Sequence, residues 1–180
     1  FGRPLVPFYW ESPSGKRLLA WCGMAYHKAN LFGLMGGQTP DGDPGVPGFT
    51  ESFVISRISK SNGGLMTQLA SEAQKANALG LAPFIEFDAT WCPPCQAIEK
   101  SIKSKDPLTM QAFDGVYLIR ADVDEWGSEN GKNFTFDAIP VYYELDASGK
   151  PTGAVVDGGA WNEDIPKNFA PVLDAFFHNK

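Results

Sequence analysis

Two cysteines separated by two residues offer the clearest chemistry in this 180-residue chain. An apolar, strand-like run over 84–88 leads through Trp91 into Cys92-Pro93-Pro94-Cys95, where helical spacing begins. Two thiols at this spacing can close a small disulfide ring. The first thiol lies where unpaired backbone N–H groups and the helix dipole stabilise a thiolate. The pattern therefore predicts a redox site in which Cys92 is the nucleophile and Cys95 the resolving thiol.

Metal or haem binding would be another use of such a cysteine pair. Cys22, His27 and His178 could complete a zinc site, but zinc sites usually contain a second closely spaced pair of ligands. Gln96 stands where a haem-attachment motif requires histidine. We therefore predict a redox site without metal or cofactor. Cys22 lies in an apolar run and is interpreted as a buried structural thiol.

A second motif lies about 45 residues downstream, where Ile139-Pro140 precedes an apolar run and a Ser-Gly turn. Together with Trp-Cys-x-x-Cys at a strand-to-helix junction, this motif resembles the thioredoxin superfamily. The resemblance implies a cis peptide bond at Pro140, close to the cysteines, where the backbone of Ile139 pairs with an extended substrate. By this resemblance, the substrate-contact residues are Trp91, Pro93, Pro94, Ile139 and Pro140.

Glu86 is an acidic residue within the apolar strand that precedes the cysteines. Thioredoxins place an aspartate at the matching position, beneath the disulfide, so the resemblance makes Glu86 a third catalytic residue and a base for Cys95. Burial is expected to raise the pKa of its carboxyl group. Two alternatives stay open. Strand alternation could point Glu86 to solvent, or Arg120 could hold it ionised in an ion pair.

The elements that must position these residues follow from hydrophobic spacing. Helical spacing covers 65–79, about 93–103 and 165–177, and strands are indicated at 84–88, 116–123, 141–145 and 154–157. This order predicts an α/β protein with a thioredoxin fold, in which a central mixed β-sheet is flanked by helices. The resemblance covers residues 65–180.

Residues 1–64 form a predicted N-terminal extension. Apolar runs at 5–11 and 17–24 are separated by a turn-like segment and indicate a β-hairpin, and a Gly/Pro-rich loop follows at 33–48. Because the hairpin carries many aromatic residues, we expect the extension to pack on the thioredoxin-like domain rather than trail as a tail.

Charge and composition limit the partners. The net charge is −6, and Lys and Arg are scattered, whereas nucleic acid and anionic membranes call for clustered positive charge. No stretch reaches the ~20 apolar residues needed to span a bilayer. The chain begins at Phe1, which fits either removal of a leader or a trimmed sequence.

The combined prediction is a thiol-disulfide oxidoreductase that reduces protein disulfides and exchanges electrons with a further redox partner protein. Pro-Pro between the cysteines resembles reductive extracytoplasmic thioredoxin-like and thiol-disulfide interchange proteins, which predicts a periplasmic or secreted location, with the cytoplasm as the alternative. A rival interpretation is a non-enzymatic binding module that docks a protein partner through the N-terminal extension.

Overall fold

The computed structural model describes residues 7–11, 17–21 and 53–179. The chain divides into two compact units, Phe1–Val46 and Pro47–Lys180. In the first unit, strand β1 (Pro7–Glu11) pairs antiparallel with strand β2 (Arg17–Trp21), within the two runs predicted to form a hairpin. Cys22, His27 and the 33–48 loop lie outside the described residues, so the packing of the extension stays a prediction.

The second unit contains a five-stranded mixed sheet with the order β3-β5-β4-β6-β7. Strands β3, β4 and β5 are parallel, whereas β6 runs antiparallel to β4 and β7 antiparallel to β6. This arrangement confirms the predicted fold class. The strand bounds are Val54–Ile58 (β3), Ala82–Asp88 (β4), Val116–Asp122 (β5), Val141–Leu145 (β6) and Pro151–Asp157 (β7).

Five α-helices accompany this sheet in the described part of the chain: Leu65–Leu79 (α1), Pro93–Lys103 (α2), Pro107–Phe113 (α3), Val123–Trp126 (α4) and Pro166–Phe177 (α5). Helices α1 and α2 have the predicted bounds. Helix α3 was not predicted, although Asp106 caps it by accepting backbone N–H groups of Leu108 and Thr109, and Pro107 occupies its first turn.

Side chains alternate between the two faces of the sheet and form two cores. On one face, Ile85, Phe87 and Ile119 pack with residues of α1. On the other face, Phe84 and Leu118 pack with residues of α2, α3 and α5. Both faces of β4 and β5 are therefore covered, and a polar side chain on either strand is removed from solvent.

Strand β3 extends the sheet beyond the predicted boundary. Residues 54–58 fall in the predicted extension, yet they pair in parallel register with β5. Ser56 and Arg57 interrupt the apolar pattern of this short strand, so hydrophobic periodicity alone does not predict it.

Candidate active site

The cysteine pair lies where β4 passes into α2. Cys92 is the N-cap residue of the helix, and Pro93 and Pro94 occupy its first turn, where a missing backbone donor costs little. Cys92 and Cys95 form a disulfide with their Cα atoms 5.3 Å apart. The backbone N–H of Cys95 points at Sγ of Cys92 over 3.2 Å. Negative charge on the Cys92 sulfur would be stabilised by this contact and by the helix dipole.

The Ile139-Pro140 loop faces this disulfide. Its peptide bond is cis, as predicted. The carbonyl oxygen of Ile139 lies 3.7 Å from Sγ of Cys92, and Pro140 is buried. The structure thus brings together the two motifs that are 45 residues apart in the sequence.

Exposure differs sharply between the aromatic residue and the sulfurs. The Trp91 residue is 60% exposed, and its Nε1 donates to the Asp124 carboxylate at 3.1 and 3.2 Å. Cys92 is 2% exposed and Cys95 is 6% exposed. Both cysteines are therefore buried in the oxidised protein.

A polar row crosses four strands of the sheet, and its two arginines line a cleft that Cys95 also lines. Arg57 on β3 is opposite Arg120 on β5, Arg120 is opposite Glu86 on β4, and Glu86 is opposite Tyr142 on β6. Oε2 of Glu86 accepts a hydrogen bond from Nε of Arg120 at 2.6 Å, and Oε1 accepts one from the Tyr142 hydroxyl at 2.8 Å. Glu86 is 1% exposed, so the solvent-facing alternative is wrong and the ion pair is present.

Burial and charge act in opposite directions on Glu86. Burial raises the pKa of its carboxyl group above the usual value, while the positive charge of Arg120 opposes that rise. The same desolvation, together with the negative charge of Glu86, raises the pKa of the Tyr142 hydroxyl, which therefore stays protonated and donates.

An open cleft of about 320 Å³ lies beside Cys95. Two of its lining residues are arginines that pair with carboxylates. Arg57 donates to both carboxylate oxygens of Asp88 at 2.9 and 2.5 Å, and Arg120 donates to the Glu99 carboxylate. The cleft is lined by Arg57, Asp88, Ala89, Thr90, Cys95, Gln96, Glu99 and Arg120.

Sequence reasoning missed Arg57 and Glu99. Arg57 gave no signal because its strand was not predicted. Glu99 could have been found, since it follows Cys95 by four residues on α2 and therefore lies on the same helix face.

Among residues 53–179 and the two described N-terminal strands, no group of three or more His, Cys, Asp or Glu side chains is arranged to hold a metal ion. His178 contacts the Asp174 and Asp114 carbonyl oxygens at 2.9 and 2.8 Å through its two ring nitrogens. Two of the residues considered for zinc, Cys22 and His27, lie outside the described residues.

Known proteins similar to this chain include plant thioredoxins. Thioredoxin H2 of Arabidopsis thaliana is 29% identical over 113 residues, which cover 62% of this chain and 77% of that protein. Thioredoxin H4 of the same plant is 34% identical over 83 residues, covering 45% and 62%, and thioredoxin H2-2 of Oryza sativa is 34% identical over 83 residues, covering 46% and 56%. No family model matches the chain.

Among solved structures, oxidised thioredoxin O1 of Arabidopsis thaliana is similar over 69% of this chain and 98% of its own, with 21% identity and a TM-score of 0.41. A poplar thioredoxin h is similar over 57% and 81%, with 19% identity and a TM-score of 0.38. Both scores are low, whereas the strand order described above specifies the fold directly.

The fold and the disulfide at the start of α2 define a thioredoxin-fold protein with a redox-active cysteine pair. The similarity to plant thioredoxins agrees with this, and the chain is a thiol-disulfide oxidoreductase similar to thioredoxins in sequence. The relatives give no support to the predicted extracytoplasmic subtype or location. Within the described residues, no helix is both long and apolar enough to cross a membrane.

Proposed function

We propose that this oxidoreductase reduces disulfides of protein substrates by dithiol exchange through its Trp-Cys-Pro-Pro-Cys motif. One observation carries the proposal: the disulfide at the first turn of α2 faces the Ile139-Pro140 loop, with Sγ of Cys92 3.7 Å from the Ile139 carbonyl oxygen. An extended substrate strand that pairs with the backbone of this loop would bring its own disulfide to Cys92.

In the reduced protein, the Cys92 thiolate attacks one sulfur of the substrate disulfide and expels the other as a thiolate. The resulting mixed disulfide joins Cys92 to the substrate. The Cys95 thiol loses its proton and attacks Sγ of Cys92, which releases the second substrate sulfur and closes the Cys92–Cys95 disulfide. Two electrons pass from the protein to the substrate, and a further redox partner protein must return them.

The substrate surface in this proposal surrounds Cys92. Trp91 is 60% exposed and Pro93 is also exposed, so both can contact an incoming chain, while Pro94 and Ile139 are half-buried beside them. The indole of Trp91 is fixed through Asp124 and offers a rigid apolar surface.

Glu86 is proposed to accept the proton of Cys95. Its raised pKa favours this role, since a carboxylate with a pKa nearer the working pH is a better base. Both oxygens already accept a hydrogen bond, from Arg120 and from Tyr142, but each carboxylate oxygen has a second lone pair.

Insulin reduction in the presence of dithiothreitol tests the function. The wild-type protein is expected to accelerate precipitation of the insulin B chain, and Cys92→Ser to lose that acceleration. Cys95→Ser should instead accumulate a mixed disulfide between Cys92 and the substrate. A wild-type protein that does not accelerate precipitation would favour the binding-module interpretation, in which the cysteines are incidental.

The role of Glu86 is tested by comparing Glu86→Gln with wild type in single-turnover release of substrate from the mixed disulfide. The substitution keeps the shape and removes the base, so resolution should slow near neutral pH. The matched control is Glu99→Gln, which removes the other carboxylate that binds Arg120. An unchanged pH–rate profile for Glu86→Gln would contradict a role as proton acceptor.

A further inference from the structure

A short strip of backbone beside the disulfide lacks partners for its donors. Residues 137–139 lie between α4 and β6, and the carbonyl oxygen of Ile139 is the one 3.7 Å from Sγ of Cys92. Asp137 and Ala138 are exposed, and Ile139 is half-buried. Within the part of the chain that the structure describes, no backbone N–H group of these three residues donates a hydrogen bond. The strip 137–139 therefore offers free backbone donors with which an extended chain can pair.

One side chain holds the residue that precedes the strip. Asn130 donates through Nδ2 to the carbonyl oxygen of Phe136 at 2.6 Å, and its Oδ1 accepts a hydrogen bond from the N–H of Phe136 at 3.1 Å. A side-chain amide thus pairs with both backbone groups of Phe136, as the backbone of a neighbouring strand would. The two bonds fix the orientation of the peptide groups from which the strip continues.

Aromatic packing anchors the same segment on β4, the strand that leads to the cysteines. The Phe136 ring stacks on Phe87 with 4.7 Å between centroids, and Phe134 meets Phe87 edge-on at 5.1 Å. These contacts place the side chains but do not set the direction of the Phe136 N–H and C=O groups. Among the described residues, Asn130 supplies the hydrogen bonds that set this direction.

The other end of the strip is held at Gly158. Its N–H donates to the carbonyl oxygen of Pro140 at 2.9 Å. A Cβ atom at position 158 would lie 3.3 Å from Cδ of Pro140 and 3.8 Å from the carbonyl oxygen of Ile139, so the lack of a side chain allows this close approach. The strip is therefore fixed at both ends and unpaired between them.

We propose that Asn130 is a positioning residue for substrate binding, because its two hydrogen bonds hold residues 137–139 in the orientation that pairs with an extended peptide. Without these bonds, the strip would adopt that orientation only part of the time, and the apparent affinity for a peptide substrate would fall by the same fraction. Asn130 acts through Phe136, so its removal leaves the thiol chemistry of Cys92 unchanged. This inference rests on the function proposed above and names a residue that determines how the substrate is held.

Two disulfides that differ in backbone content test the proposal. One is the disulfide-linked dimer of the capped peptide Ala-Ala-Cys-Ala-Ala, which has peptide groups on both sides of each sulfur. The other is bis(2-hydroxyethyl) disulfide, which has none. Reduced full-length protein with Cys22→Ser is mixed with each disulfide, and second-order rate constants are measured by tryptophan fluorescence. Asn130→Ala is expected to slow the peptide reaction about three- to tenfold, the factor of about one net hydrogen bond, and to leave the other reaction unchanged.

A second variant and a matched control isolate the role of the amide. Asn130→Asp keeps the shape but replaces the donor with an oxygen that faces the Phe136 carbonyl oxygen, so it should show the same selective slowing. Asn77→Ala is the control, because it also removes an amide that donates to a backbone carbonyl oxygen, that of Ala147 at 3.0 Å. Ala147 lies beyond the end of β6 that is remote from the strip, so this variant should slow neither reaction.

Asn130 is exposed, so both of its variants are expected to fold, which thermal unfolding checks. Equal slowing of the two disulfides by Asn130→Ala, or no slowing of the peptide disulfide, would overturn the proposal. The protein with Asn130 intact separates this result from failure of the proposed function. If it reduces the peptide disulfide and Asn130→Ala causes no selective slowing, this inference alone fails. If it reduces the peptide disulfide no faster than dithiothreitol at the same thiolate concentration, the proposed function fails.

Discussion

Two clusters on opposite faces of the sheet each combine a glutamate, a tyrosine and a basic residue, yet the pKa values of their glutamates shift in opposite directions. The inner cluster is Glu86, Arg120 and Tyr142, near the disulfide, and the outer cluster is Glu72, Lys75 and Tyr117, on the α1 side. In each, a glutamate accepts hydrogen bonds from a tyrosine hydroxyl and from a cation. The cations differ in depth, since the Lys75 side chain is 59% exposed and the Arg120 side chain is 8% exposed.

Depth decides the direction of the pKa shift. Although burial acts against it, the hydrogen bonds from Lys75 and Tyr117 hold the pKa of Glu72 below its usual value. For Glu86, complete burial outweighs the positive charge of Arg120, and its pKa is raised. The comparison shows that an ion pair alone does not determine the pKa of a carboxyl group. The exposure of the pair to water also determines the direction of the shift.

The inner cluster should be the more costly one to break. Arg120→Met removes the cation from Glu86, a fully buried carboxylate, and is expected to lower the free energy of unfolding by about 3–5 kcal/mol at pH 7. Urea denaturation measures this. The double variant Glu86→Gln/Arg120→Met should recover much of the loss, because no buried charge is then left unpaired. A single-variant loss below about 1 kcal/mol would contradict the assigned depth of the pair.

The two tyrosines provide a matched comparison. Tyr142→Phe removes a hydrogen-bond donor from the buried carboxylate of Glu86, and the free energy of unfolding should fall by about 2–3 kcal/mol. Tyr117→Phe should lower it by only about 1 kcal/mol, because the carboxylate of Glu72 still accepts a hydrogen bond from Lys75. Parallel urea denaturation of the two variants checks the order. Equal losses would show that depth does not distinguish the clusters.

Alkaline pH should act on the outer cluster through Tyr117. Burial, and then the hydrogen bond to Glu72, raise the pKa of Tyr117 to about 12 from a usual value of 10. Because the folded-state pKa is the higher one, the contribution of Tyr117 to stability is complete below about pH 10 and declines as the pH rises toward 12. Unfolding free energies measured from pH 9 to 11 should fall less steeply in Tyr117→Phe than in wild type.

The titration itself identifies the partner. In difference absorbance spectra, Glu72→Gln should lower the pKa of Tyr117, since the carboxylate that favours its protonated form is gone. A midpoint that does not move would assign the whole shift to burial.

The smallest effect is expected at Lys75. Its side chain is mostly exposed, so solvent screens the ion pair with Glu72, and Lys75→Gln should cost at most about 1 kcal/mol. Raising the salt concentration should reduce even this difference. A loss as large as that of Arg120→Met would contradict the contrast between the two clusters.

The sequence predicted those parts of the protein in which local pattern and chemistry agree. Helix 65–79 has apolar residues at helical spacing, strand 141–145 is an apolar and aromatic run before a Ser-Gly turn, and the bounds of both match the structure. The cysteine motif lies at the predicted strand-to-helix junction, and the Glu86–Arg120 pair was one of two open alternatives.

Other parts depend on contacts that no local pattern contains. Arg57 reaches Asp88 only because β3 adds to the sheet beside β5, and Arg57 itself weakens the apolar signal of that strand. The cleft beside Cys95 has walls that come from four separate elements. Spacing along the chain cannot predict such a cavity.

The polar row of Arg57, Arg120, Glu86 and Tyr142 also discriminates between strand alignments during assembly of the sheet. A shift of one strand by two residues keeps its apolar side chains on the correct faces, so the cores alone reject it only weakly. Such a shift would place Arg120 opposite Phe84 or Asp88 and leave Glu86 without its cation in an apolar surrounding. Burying an unpaired carboxylate is costly. The charges of this row therefore also select one alignment of the strands from several that the apolar side chains alone would accept.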